Sequence, residues 1–328
     1  MDLIGHAQPI AFFLFEEKFR QTVIVGLVIG SLYALIALGF VLIYKASEVV
    51  NFAQGEFVML GGYVAAVAMT GYDIPLMLAL PLVLLIGAAL GILVERLMLR
   101  PLIGKPLIAI VMATIGLGAI LRGGVATLWL PFYSPENQQQ LPHLSVLGFK
   151  PFDDTIINVL DTPIRRSDLW AVGLAVLLIV AFTIFFRYTR TGIAMQAVAD
   201  DQGAAQAMGI SVKQVFAIAW AVALMVAFVG GMLLGVRQGV SVTNLSGIGL
   251  KVFPAVILGG LESLTGAIVG GIVIGLLEQF TGAYLNPPLE RGGINAGGLD
   301  AVMPFVVLIV ILMIRPYGLF GRPAIERV

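Results

Sequence analysis

Long apolar runs separated by short polar breaks dominate the chain. The clearest cover 22–44, 52–70, 75–94, 107–130, 169–186, 215–236, 265–284 and 301–314. A bilayer core takes about 20 apolar residues per helical crossing, so runs of this length with almost no charge predict spanning helices. Strict apolar/polar alternation is absent, which argues against an outer-membrane barrel. A further run, 245–261, contains Lys251 and Pro254. Proline removes a backbone hydrogen bond and clashes with the preceding turn. A broken or re-entrant segment is therefore expected there, tolerated in a membrane only against protein or a watery cavity. The pattern predicts an all-α polytopic membrane protein, one transmembrane domain over 1–328. About eight to ten membrane helices or half-helices are expected, some of them broken. Residues 1–20 lack a basic n-region and a small-residue cleavage site, so they are expected to lie on the membrane as an interfacial helix rather than be removed as a signal.

The polar breaks are unequal. The stretch 187–213 reads as a small soluble structure between two spans. Asp200 and Asp201 are placed to cap a short helix through Ala204, Ala205 and Ala207, and Gly209 is the residue type that ends one in the left-handed conformation. Ser211 and Gln214 have capping-box spacing ahead of the next run. An Ala-rich helix of about two turns, joined rigidly to a spanning helix, suits transmission of a push from a partner. A solvated helical loop with no such role fits the same pattern.

Positive charge in the short loops sets orientation. Arg96, Arg100 and Lys105, then Arg187, Arg190 and Lys213, then Arg315, Arg322 and Arg327 fall on one face if all segments cross, and Lys45 joins them. That face is expected to be cytoplasmic. The loop 131–168, with Glu136, Asp153, Asp154, Asp161 and Asp168 against Lys150, Arg165 and Arg166, then lies on the periplasmic side. The N-terminus falls outside too, although Lys18 and Arg20 pull the other way.

Composition narrows the function. With 59% hydrophobic and 12% charged residues the chain is far from a soluble domain, and its net charge of zero gives no reason to expect nucleic acid. No cysteine is present, and the two histidines, His6 and His143, sit in predicted loops. No zinc-protease, nucleophile-elbow or phosphate-loop pattern occurs, so neither catalysis nor a bound metal is expected, and any ATP use belongs to another subunit. The 39 glycines concentrate in the spans, where small residues at helical spacing let helices approach closely in lipid. The similarity between 26–40 and 266–280 hints at an internal repeat without establishing one.

Charges within spans default to functional hypotheses. Arg122 and Glu278 lie at similar expected depth, which allows an ion pair, either structural or gating the outer mouth. The stretch NFAQGEFVMLGGY, 51–63, opens with Asn51, Gln54, Gly55 and Glu56 and continues to Gly61. It reads either as a polar helix entrance at the cytoplasmic surface or as a broken helix that sets its N-terminal amides and Gln54 beside a translocation path.

Several blocks together resemble a known family. GSLYALIALGFVLIYKASEVVNFAQGEFVMLGGYVA (30–65), TRTGIAMQAVADDQGAAQAMGI (189–210), FPAVILGGLESLTGAIVGGIVIGLLE (253–278) and RPYGLFG (315–321) look like the branched-chain amino acid ABC transporter permease family, H-type subunit. The resemblance implies a bacterial inner-membrane importer in which this chain and an M-type relative form the pathway. Two cytoplasmic ATPase subunits, holding ATP and Mg, would drive it, and a periplasmic binding protein would deliver substrate. This chain itself would bind no cofactor. The loop 187–213 then becomes a coupling loop, with Arg190, Gly192, Asp200, Asp201, Ala204, Ala205 and Gly209 facing the ATPase. Relatives carry an E-A-A-x-x-x-G pattern there; Ala204, Ala205 and Gly209 fit it, while Gly203 stands at the glutamate position and Ile218 falls one place early. The same fold importing urea or short amides, or a channel or carrier working without ATPases, is the alternative.

Overall fold

A computed structural model of the chain describes residues 7–102, 105–129, 155–159, 162–292 and 298–321. Most of the 131–168 loop, with His143, Lys150, Glu136, Asp153, Asp154 and Asp161, lies outside the described residues, as do His6, Arg322 and Arg327. The helices in chain order are α1 (Ala7–Ser47), α2 (Gln54–Ala66), α3 (Leu76–Val94), α4 (Leu107–Trp129), α5 (Arg166–Tyr188), α6 (Arg190–Asp200), α7 (Gln202–Ala207), α8 (Val212–Gln238), α9 (Val242–Gly259), α10 (Leu264–Phe280), α11 (Asn286–Arg291) and α12 (Leu299–Ile314). Strands β1 (Ile156–Val159) and β2 (Thr162–Arg165) form an antiparallel hairpin, Ile156 opposite Arg165, that leads directly into α5.

Among the described residues seven helical stretches are long and apolar enough to span a membrane, and Leu299–Ile314 is a shorter apolar helix. With the half-length α2 this agrees with the expected eight to ten segments. The helices differ sharply in how much of them is covered. The apolar windows of α1 and α8 are 72% and 78% buried, whereas that of α4 is 11% buried. Two central helices are thus wrapped by the others, while α4 presents most of its surface outward.

Glycine explains the central packing. The two similar stretches 26–40 and 266–280 face each other: a Cβ on Gly30 would come within 2.7 Å of Ile272 Cα, and one on Gly271 within 2.4 Å of the Ala34 nitrogen. Their likeness therefore serves a close antiparallel contact between α1 and α10, in which backbones meet without intervening side chains.

Two expectations about the helices change. Residues 7–47 form one unbroken helix, so the N-terminal segment continues into the first span instead of ending near residue 20. Nothing between Glu16 and Thr22 breaks a helix, and propagation adds one hydrogen bond per residue fixed. α9 is continuous across Pro254, which is buried among neighbouring helices. Tertiary packing holds the turn that proline weakens, as occurs in transmembrane helices. The C-terminal tail then covers the end of α9: Leu319 and Phe320 donate backbone hydrogen bonds to the Leu258 and Gly259 carbonyls at 2.8 and 3.2 Å. These are carbonyls that a helix C-terminus leaves without partners.

Candidate functional site

α2 begins inside the bundle. A Cβ on Gly39 would touch Gln54 Nε2 and, at 3.2 Å, the Ala223 carbonyl. Gly39 lies roughly 12 Å before the end of α1 and Ala223 roughly 16 Å beyond the start of α8, at 1.5 Å per residue. In a hydrocarbon core about 30 Å thick that is near mid-depth. Residues 48–53 thus carry the chain inward from the end of α1 before the helix starts, which fits the broken-helix reading of this stretch. Asn51 organises this entry. Its Oδ1 accepts from the Ala53 amide at 3.1 Å and its Nδ2 donates to Gln54 Oε1 at 3.1 Å. The Phe52 amide reaches Thr114 Oγ1 of α4 at 3.4 Å. Gln54 Nε2 is buried with no hydrogen-bond partner among the described residues.

Glycines hold this half-helix in place. A Cβ on Gly55 would fall 2.0 Å from the Ser246 carbonyl of α9, and one on Gly61 would fall 2.2 Å from Phe228 Cα of α8. Gly231 of α8 meets the Val58 carbonyl of α2 as closely. Glu56, in the first turn where the helix dipole favours an anion, is almost fully buried. It accepts a hydrogen bond from Arg122 Nη2 of α4. Gly118 on α4 lets the carboxylate approach: a Cβ there would lie 3.2 Å from it.

The expected pairing of Arg122 with Glu278 does not occur. Glu278 of α10 instead accepts from Tyr33 Oη at 2.7 Å and from Lys251 Nζ at 2.9 Å. The lysine that argued for a broken α9 is therefore neutralised inside the bundle, which is what lets the helix run through. A matching depth in two helices says nothing of whether they are neighbours, and the chain order hid Glu56 and Lys251 as the partners. A further pair, Asp168 with Arg237, joins the start of α5 to the end of α8, with Arg165 of β2 at 3.4 Å from the same carboxylate.

Between α1, α2, α4 and α9 lies a cleft of about 830 Å³. Phe40, Phe52 and Phe253 form one wall, with ring centroids 6.0 and 6.2 Å apart for the Phe52–Phe253 and Phe40–Phe253 pairs. Glu56, Arg122, Thr243 and Ser246 supply its polar atoms. Of the sequence-derived path residues, Glu56 lines it, Gly55 and Gly61 brace the helix behind it, and Asn51 and Gln54 shape the entry.

The 187–213 stretch is two helices rather than one. Thr189 caps α6, accepting from the Gly192 amide at 3.0 Å, and Gln196 Nε2 donates to the Phe186 carbonyl at 2.7 Å. Only glycine fits at 192, where a Cβ would lie 2.4 Å from that carbonyl, so α6 folds back tightly on α5. Asp201 caps α7 through the Ala204 amide at 2.9 Å; Asp200 is the last residue of α6 and is exposed, not a cap. Gly209 ends α7 at φ +83°, as its type foretold. Ser211 stands at the N-cap of α8 but makes no side-chain cap hydrogen bond, so the capping box does not form. Ala205 is buried and anchors α7, whereas Arg190, Ala204, Ala207, Gly209 and Met208 face outward, Met208 at 83% exposure. Sequence reasoning missed Met208; a large apolar residue between Ala207 and Gly209 on a polar loop was the available signal. Lys45 and Arg187 gather with Asp200 and Glu262 around a second hollow of about 400 Å³ at this end.

The family model for the branched-chain amino acid transport system permease component matches residues 22–312. LivH of Escherichia coli K12, a high-affinity branched-chain amino acid transport system permease protein, is 32% identical over 323 residues, 94% of this chain and 98% of its own. BraD of Pseudomonas aeruginosa, with the same description, is 29% identical over 326 residues, again 94% and 98%. LivH of Methanocaldococcus jannaschii, a probable branched-chain amino acid transport permease protein, is 30% identical over 313 residues, 94% and 95%. Nearly the whole of a multi-pass helical membrane protein is thus matched end to end, and the chain belongs to the family of branched-chain amino acid transport permease components.

Proposed function

We propose that this chain is one of two permease subunits in an ATP-driven importer of branched-chain and other hydrophobic amino acids in the inner membrane. An M-type permease would sit against it, and the largely uncovered α4 offers a face for such a neighbour. A periplasmic binding protein would deliver substrate at the end that carries the β1–β2 hairpin. Two ATPase subunits, holding ATP and Mg, would dock at the opposite, basic end; the chain itself contributes no catalytic group.

The observation that carries this reading is the construction of α7. It is capped at both ends, anchored by Ala205, and leads through Gly209 directly into α8, while Met208 and Ala204 project outward. Closure of the ATPase dimer on ATP would push α7 and with it α8, shutting the inner end of the path as the outer end opens. Hydrolysis would reset the pair. The ATP sites supply the differential affinity that any two-state cycle requires.

The test is Met208→Asp in the assembly purified with its co-expressed neighbours. The side chain is exposed, so insertion and yield should hold. Substrate-stimulated ATP hydrolysis should fall by about tenfold or more, as for a desolvated interface contact. Full stimulation in Met208→Asp, or amino-acid uptake that survives ATP depletion, would remove the coupling role and favour a channel or carrier.

A further inference from the structure

We propose that the cleft between α1, α2, α4 and α9 is a substrate site that recognises a zwitterion with an apolar side chain, Glu56 taking the ammonium and Arg122 the carboxylate. This rests on the permease reading and names the chemistry that the path selects.

The pair is built asymmetrically. The Glu56 side chain is 5% exposed, while that of Arg122 is 55% exposed and opens on the cleft. Arginine carries five N–H donors. Among the described residues one of them meets Glu56, and the rest of the fork has no protein partner. Elsewhere in the chain an ion pair that staples two helices is covered on both sides. Asp168 with Arg237 is such a staple, with 8% and 16% exposure and Arg165 in support. Arg122 instead has donors without a partner among the described residues, in a space walled by Phe40, Phe52 and Phe253 and lined also by Thr243 and Ser246. A guanidinium with open donors fits a carboxylate bidentately.

The cargo's two charges decide what can exchange with the pair. An α-amino acid brings both an ammonium and a carboxylate, so it can part Glu56 from Arg122 and leave neither unpaired. Leucinamide brings only the ammonium, and urea or a sugar brings neither. Each would either leave the pair closed or strand a charge in low dielectric, which costs several kcal/mol. The aromatic wall then takes an apolar side chain. Exchanging one ion pair for two also limits affinity, because the protein's own pair competes with the ligand. Weak binding is what a conduit needs, since cargo must leave as readily as it enters.

The experiment is photolabelling of the purified, reconstituted assembly with the diazirine analogue of leucine, adducts being mapped by mass spectrometry. Labels are expected on Phe52, Leu250 or Phe253. Excess leucine should suppress them and leucinamide should not. Glu56→Gln and Arg122→Gln should each reduce labelling at these positions by about tenfold or more and raise the KM of leucine uptake. Glu56→Asp, which keeps the charge, should restore much of both. The wild-type competition arm is independent of how the variants fold. Labelling absent from the cleft, or suppressed equally by leucinamide, overturns the proposal, as does unchanged labelling in Glu56→Gln. In those outcomes ATP-dependent leucine uptake by the wild type still upholds the permease reading, whereas a wild-type assembly without such uptake refutes that reading itself.

Discussion

Gly55→Ala isolates the contact that positions α2. The added methyl would sit 2.0 Å from the Ser246 carbonyl and 2.9 Å from the Gly249 nitrogen, both backbone atoms that no rotamer change can move aside. Reaching ordinary contact requires α2 and α9 to part by more than an ångström. Overpacking of this kind costs about 1–3 kcal/mol, and more where the obstacle is rigid. At about 2–4 °C per kcal/mol for a domain of some 200 residues, the melting midpoint in detergent should fall on the order of 5 °C. Glu56 is the next residue along, so the same shift should pull its carboxylate from Arg122 and weaken uptake beyond what lost stability explains. Gly173→Ala in α5 is the control: a Cβ there meets nothing within 4 Å, and replacing a helical glycine with alanine should stabilise by up to about 1 kcal/mol. A Gly55→Ala assembly that melts and transports like the wild type would refute the mid-depth backbone contact.

Two further outcomes follow from the polar network and the cap. Glu278→Leu removes the acceptor of both Tyr33 and Lys251. Stranding the part-buried Lys251 ammonium should cost about 1–3 kcal/mol, and the double variant Glu278→Leu/Lys251→Met should regain most of that in a thermal melt. Asp201→Ala removes the side-chain cap of α7, worth about 1 kcal/mol. The Ala204–Ala207 amides should then exchange hydrogen faster and substrate-stimulated ATP hydrolysis should drop several-fold with membrane insertion intact.

What the sequence revealed was whatever depends on local order. Apolar run length located the spanning helices, Asp201 and Gly209 bounded α7, and the polar cluster at 51–56 marked the unusual helix start. What it withheld depends on neighbours distant in the chain. Arg122 and Glu278 look like partners because each is the isolated charge of its span, whereas Glu56 reads with a polar or broken helix start and Lys251 with a broken segment. Once α2 starts at mid-depth, Glu56 becomes an intramembrane carboxylate and the pairing rearranges. Pro254 misled for a related reason: its cost is local, whereas the packing that offsets it comes from neighbouring helices, α10 meeting α9 at Ala255. The glycines were read correctly as close-packing residues, yet nothing in their spacing told which helix each would meet.

The placement of these glycines bears on how a push at α7 could reach the cleft. α8 has 27 residues and extends about 40 Å. Along it, Gly231 meets the Val58 carbonyl and Phe228 meets Gly61, so α8 and α2 touch through backbone with no flexible side chain between them. Such a contact cannot absorb displacement by changing rotamers, and packed cores are bistable rather than continuously deformable. α2 must therefore move with α8 or separate from it. The Gly55–Gly249 approach ties α9 to the same unit. α4 is held differently: most of it is uncovered, and its Arg122 reaches Glu56 on a long side chain. Relative motion between that unit and α4 would then act on the contacts of α4 with it, among them the link between a rigidly carried carboxylate and a long-armed guanidinium. That link borders the cleft, so a movement begun at α7 would alter the distance between the two charges offered to a passing amino acid.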